Sequence, residues 1–172
     1  MNHLIKNQIK ILGKRHISDV EFGLLNEKKV LKWYNDNNYI DNKLEMFKNP
    51  FNVVDFISSN GEDIIELKSR NIYHSQYPDM MIGINKLEEA DRNCHCHNYY
   101  FNFLCKDGLY GWKYEKGKSF DKRYGGRTDR GIDERRIQGF IPTKDLFLIT
   151  TEINSISKIR NNCYTPTKFF FT

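Results

Sequence analysis

Hydrophobic and polar positions change their spacing several times along the chain, and each change predicts an element. In "ISDVEFGLLNEKKVLKWYNDNNY", residues 17–39, Val20, Leu24, Leu31 and Tyr34 recur at helical spacing. Ser18 with Glu21 three residues later predicts an N-cap and capping box, and the Asn/Asp cluster at 35–38 predicts the helix end. "KLEMF" at 43–47 predicts a first strand. Two apolar-rich runs, 52–58 and 63–69, flank Asn60-Gly61, a strong hairpin signal. After Pro78, "DMMIGINKLEEADRN" predicts a second helix, weakened at Gly83. "HNYYFNFLCKDGLYGWKYE" is dense in aromatic residues and predicts a second hairpin at Asp107-Gly108. "RRIQGFIPTKDLFLI" predicts a last strand, with Pro142 at an edge or a break. Neither a repeat nor a linker interrupts the series. Helix, three strands, helix, strands is the order of an α/β domain: a mixed central β-sheet flanked by helices. One domain over residues 1–172 is expected, with its core at about 18–150.

Several polar residues break the apolar pattern. A two-residue Asn60-Gly61 turn sets Phe56 opposite Ile65, Val54 opposite Leu67 and Asp55 opposite Glu66. Val54, Phe56, Ile65 and Leu67 then share one face, and Asp55, Glu66 and Lys68 share the other with Ile57 and Ile64. Like charges directly opposite each other destabilise a strand pair, and more so once desolvated. A divalent cation would compensate. A solvent-facing sheet surface on which Lys68 screens both acids is the competing reading. On the first helix, Glu27 falls within the apolar stripe, whereas Glu21 lies with Lys28 and Lys32 on a polar flank. A carboxylate on a core-facing stripe is costly unless paired or metal-bound. Gly23, one turn earlier, would allow the helix close to the sheet.

Composition narrows the class. The chain has 172 residues, 39% hydrophobic and 14% aromatic, which suits a folded domain and argues against disorder. It shows no apolar run near membrane-spanning length and no signal-peptide pattern at Met1-Asn2-His3, so a soluble, intracellular protein is expected. Four unevenly spaced cysteines predict reduced thiols rather than a disulfide framework. "CHCH" at 94–97 offers zinc-ligand residue types, but structural zinc sites need a distant second pair. Ordinary buried cysteines are expected instead.

The net charge is +5, and residues 113–136 hold nine Lys/Arg against five Asp/Glu, giving +4 of it. Within that segment "DKRYGGRTDRGIDERR" combines arginines with Gly125, Gly126 and Gly131, a loop suited to a phosphate backbone. A solvated surface loop explains the same residues.

Asp55, a ten-residue gap, then Glu66-Leu67-Lys68, after a helix carrying Glu27, resembles the PD-(D/E)XK nuclease superfamily. Val54 stands where the family name has proline. "FGLLNEKKV" is similar to the helix that supplies an extra acidic ligand in archaeal Holliday-junction resolvases. "YPDMMIGINKL" and "DGLYGWKYE…RRIQGFIP" resemble segments of small phage and large-virus members. The resemblance implies an αβββαβ restriction-endonuclease-like core. It also implies a Mg2+- or Mn2+-dependent deoxyribonuclease of endonucleolytic action, with branched or damaged DNA among the substrates. Asp55 and Glu66, with the Leu67 carbonyl and Glu27, would be the metal ligands. Lys68 would orient the water, stabilise charge or act as base. Ser69, Arg70, Tyr73, His74 and Gln76 would rim the site, and Lys86 would lie near the metal. Arg127 and Arg130 are the phosphate-contact candidates, joined by Arg70, His74 and Lys86. DNA is the expected partner and no membrane is; a homodimer is allowed. Host cytoplasm, nucleus or virion are the compartments implied. A non-catalytic nucleic-acid-binding module and a virion-associated protein are the competing functions.

Overall fold

Helix α1, Lys14–Asn37, begins four residues before Ser18, so Ser18 lies inside it and the expected capping box does not start it. The computed structural model describes residues 14–47, 52–118, 120–126, 128 and 133–153, with side chains from residue 21 onward. The helix ends as its asparagines predict. Asn38 adopts φ +47°, and the Tyr39 N–H reaches back to the Tyr34 carbonyl at 3.3 Å, closing the last turn. The buried row is Asn26, Val30 and Tyr34, while Leu24 is 42% exposed. The inward face is therefore turned from the expected stripe toward Val30. Its direction is set by Leu44, Phe56, Ile65 and Leu67, which the sheet places beneath Val30 and Tyr34.

The described strands form two sheets. Strands β1 (Leu44–Met46), β2 (Phe56–Ser58), β3 (Asp63–Ser69), β5 (Asn98–Cys105), β6 (Gly108–Lys113) and β9 (Phe147–Thr150) make a six-stranded sheet in the order β1-β2-β3-β5-β6-β9. Within it β3 and β5 run parallel and the other pairs antiparallel, so the sheet is mixed. A parallel pair requires a crossover. Residues 70–97 supply it and contain strand β4 (Asp79–Gly83) and helix α2 (Ile84–Asn93). With β7 (Asp121–Gly125) and β8 (Arg136–Pro142), β4 builds a three-stranded antiparallel sheet in the order β4-β8-β7.

That second sheet corrects the expected helix over 79–93, of which only 84–93 is helical. Met80 and Ile82 are buried at a spacing of two, and all of β4 pairs with β8. Gly83, extended at φ −61° and ψ 129°, is the junction from strand to helix. The expected last strand is likewise two strands. β8 stops at Pro142, a one-turn helix spans Thr143–Asp145, and β9 joins the other sheet. The β5–β6 hairpin closes with Cys105 opposite Gly108, so its turn is Lys106-Asp107, one residue earlier than expected.

The six-stranded sheet is buried on both faces. Phe56, Ile65, Leu67, Leu104 and Leu109 pack under α1. Ile64, Phe101, Phe103 and Trp112 pack against Leu87 and Ala90 of α2 and Met80 and Ile82 of β4. Each fully buried side chain of this kind contributes about 1.5–3 kcal/mol. Two layers of helix and strand thus fix β3 from both sides. Among the described residues, no helix is long and apolar enough to cross a membrane.

Candidate active site

The β2–β3 pairing follows the expected register, with Phe56 opposite Ile65 and Ile57 opposite Ile64. The turn differs. The Gly61 N–H donates to the Ser58 carbonyl at 2.8 Å, and Gly61 takes φ +77°. Ser58 Oγ accepts from the Asp63 N–H at 2.8 Å and donates to Asn60 Oδ1 at 2.7 Å. Four residues, rather than two, therefore separate the strand ends Ser58 and Asp63.

At the other end the ladder breaks. Asp55 lies just outside β2, and its N–H donates to the Ile65 carbonyl at 3.1 Å. Asp55 is thus not a regular cross-strand partner of Glu66. Its Oδ2 instead accepts the Leu67 N–H at 2.7 Å. The same bend sends Val54 into the α2-side core with Ile64, away from Phe56 and Leu67, which corrects the expected four-residue face.

Glu66 is 1% exposed at the middle of β3. Lys86 Nζ, from α2, donates to its Oε2 at 3.0 Å. Lys68 Nζ sits 2.5 Å from its Oε1, an ion-pair contact without hydrogen-bond alignment, and Oε1 has no hydrogen-bond partner among the described residues. A buried carboxylate persists when cations stand against it. Burial first, and the nearby Glu66 charge second, raise the Asp55 pKa to about 7 against the lowering effect of the Leu67 N–H. Glu27, half-buried, is pushed up by burial and by Glu66, while Lys68 and Lys86 draw it back. Three carboxylates and two ammonium groups therefore share one electrostatic neighbourhood. Glu21 is exposed. A Cβ on Gly23 would meet only Glu27 Oε1 at 3.8 Å, so this glycine is not required for close approach to the sheet.

Of the remaining candidates, Arg70 also lies in the field of the Glu66 carboxylate. Arg70 is half-buried and donates to the Met81 carbonyl, which directs its guanidinium into the fold rather than toward a surface ligand. His74 is held by Asp107, at 2.8 Å from its Nδ1 and 3.0 Å from its backbone nitrogen, and it stacks on Tyr110. Tyr73 and Gln76 are exposed beside it, and Ser69 is half-buried at the end of β3. Lys86, expected to serve nucleic acid, is occupied by Glu66. Arg127 and Arg130 lie outside the described residues. Cys105 is buried as expected, but Cys94 is half-buried and Cys96 exposed. The His97 ring contacts the Gly61 carbonyl at 2.6 Å. Cys163 lies outside the described residues.

The donor set fits a hard divalent cation. Asp55 and Glu66 offer oxygen ligands, the Glu66 charge opposing ionisation of Asp55, and Glu66 Oε1 is buried without a hydrogen bond among the described residues. Among the described residues, however, no three Asp, Glu, His or Cys side chains stand close enough to hold a metal as they are. The two lysines occupy Glu66 in this arrangement. Lys86 was expected near the metal that Glu66 would hold, but its direct pairing with Glu66 was not foreseen. Its signal was position: Lys86 flanks the apolar residues Ile84 and Leu87 at the start of a helix that follows a strand.

Residues 24–146, well over half of the chain, match the model of a family described as "Phage putative PDDEXK endonuclease". No curated protein matches the chain.

Proposed function

The chain belongs to this phage PDDEXK endonuclease family, and from that premise we propose that it is a divalent-metal-dependent endonuclease hydrolysing phosphodiester bonds in DNA. The observation that carries the reading is Glu66, a buried carboxylate between Lys68 and Lys86, beside Asp55 with its raised pKa. Paired acids able to hold a divalent cation, with a lysine beside them, are one set of groups that can carry phosphodiester hydrolysis.

In this reading Asp55 and Glu66 hold Mg2+ or Mn2+, with the Leu67 carbonyl and Glu27, the latter directly or through water. The bound cation supplies a water of lowered pKa and offsets negative charge on the attacked phosphate. Leu67 orients Asp55 by its N–H. Lys86 fixes Glu66 from the opposite element. Lys68, two residues from Glu66 on the same strand face, presents its ammonium to the developing charge.

The test is supercoiled plasmid incubated with purified protein in chelator, Mg2+ or Mn2+. Nicking or linearisation is expected only with metal, and Lys68→Ala should abolish it while DNA binding persists, because a transition-state contact contributes little to ground-state affinity. Cleavage by Lys68→Ala at the wild-type rate would refute the assignment.

A further inference from the structure

The β7–β8 hairpin runs past the end of β4. Strand β4 stops at Gly83 opposite Gln138, which is opposite Arg123. Two further rungs, Tyr124 with Ile137 and Gly125 with Arg136, continue beyond that point with no third strand beside them among the described residues. Gly83 is also where α2 begins, and the first turn of α2 carries Lys86 onto Glu66.

Alternation fixes the face. Ile82, Gly139 and Lys122 form one rung across the three strands, and a Cβ on Gly139 would meet Leu87 Cδ1 at 2.1 Å, so this rung faces α2. Tyr124 and Ile137 are two residues further along on the same face. They continue the apolar row that α2 covers, one step past where α2 starts, and are left 68% and 47% exposed. Lys122, exposed, shares that face two residues before Tyr124, whereas Arg136 alternates to the opposite face with Gln138 and Phe140. Two large apolar side chains on adjoining strands, left open beside a cation, form a contiguous patch on an otherwise charged hairpin.

We propose that Tyr124 and Ile137 form a stacking platform for an unpaired nucleotide, so that the chain prefers DNA containing unstacked bases to an intact duplex. The proposal takes its substrate chemistry from the nuclease reading. An exposed base has an apolar face to cover and a phosphate beside it, which matches an aromatic and an aliphatic side chain next to the Lys122 ammonium. Sheet extension by a second copy fits less well. The outer edge belongs to β7, where Asp121, Lys122 and Arg123 place charge along the free strand.

The experiment is fluorescence anisotropy in chelator with a labelled single strand, the same sequence as an intact duplex, and the duplex with a single-stranded tail. Tyr124→Ala should weaken binding of the single strand and the tailed duplex by about tenfold and leave the intact duplex within about twofold. Tyr124→Phe should bind as wild type, and Ile137→Ser should show the same selectivity as Tyr124→Ala with a smaller loss. Both side chains are exposed, so melting curves should be unchanged. Equal losses on all three substrates, no loss on any, or a wild type that does not bind unpaired DNA would overturn the proposal. So would a change in sedimenting mass caused by Tyr124→Ala, which would assign the patch to a second copy. Cleavage is not read in this assay. Tyr124-dependent binding without metal-dependent cleavage would refute the nuclease reading alone, and cleavage without Tyr124 dependence would refute the platform alone.

Discussion

Lys86 Nζ donates to Glu66 Oε2 at 3.0 Å, tying helix α2 to strand β3 through a carboxylate that is only 1% exposed. Removing one partner of a buried pair leaves the other desolvated and only partly compensated, here by Lys68 alone. Lys86→Met should therefore lower stability in chelator by about 1–3 kcal/mol. Adding Glu66→Gln to it should recover part of the loss, because no buried charge then remains. Urea denaturation of the two single variants and the double variant measures the coupling. Additive losses would mean that the contact contributes nothing to the native state.

Asp55 sets the pH dependence of the metal-free protein. Its folded pKa is raised to about 7 from the ordinary 3.8, so between those values the native state holds the proton more tightly than the unfolded chain. Stability contributed by this group therefore falls as pH rises through that window, by at most a few kcal/mol in all. Asp55→Asn removes the charge and keeps an acceptor for the Leu67 N–H. It should raise the melting temperature at pH 8 in chelator, show much less effect at pH 4, and eliminate cleavage. It should also shrink the stabilisation given by Mn2+, since binding to the native state alone is what raises stability. Melting curves at both pH values, with chelator and with Mn2+, give the result; lower melting of the variant at pH 8 would contradict it.

Glu27 and Glu21 differ in surroundings. Glu27 is half-buried, with Glu66, Lys68 and Lys86 acting on its charge, and Glu21 is exposed. Glu27→Gln should reduce metal-dependent cleavage about tenfold or more, given the usual cost of disturbing a ligand shell, and Glu21→Gln should not. Initial rates at saturating Mg2+ decide between them, and the reverse ranking would exclude Glu27 from the site.

The basic segment lends itself to a salt titration. If Arg127 and Arg130 contact phosphates, replacing both with Ala should flatten log K against log salt by about two units. The loss should be similar across DNA sequences. An unaltered slope would place the DNA path elsewhere.

Local chemistry made much of the site legible beforehand. The spacing of Asp55, Glu66 and Lys68 and the Phe56–Ile65 register follow from strand alternation around one turn, which involves only residues a few positions apart. The end of α1 was legible for the same reason, since an asparagine in the left-handed region acts on its own turn. What failed was the reach of each local rule. The turn loop was longer than Asn60-Gly61 alone implies, and Asp55 left the ladder to accept the Leu67 N–H.

By itself the sequence determined the α/β class, the hairpin that carries the acids, and the set of charged residues able to meet. Tertiary structure alone decided that 79–83 is a strand, because Met80 and Ile82 are paired by β8, some sixty residues away in the chain. It also turned α1 toward Val30 and delivered Lys86 to Glu66, since both depend on which surface a distant segment presents. Periodicity specifies a face. Which partner covers that face is settled by long-range packing, and there burial and charge pairing outweigh the few tenths of a kcal/mol by which local propensities differ.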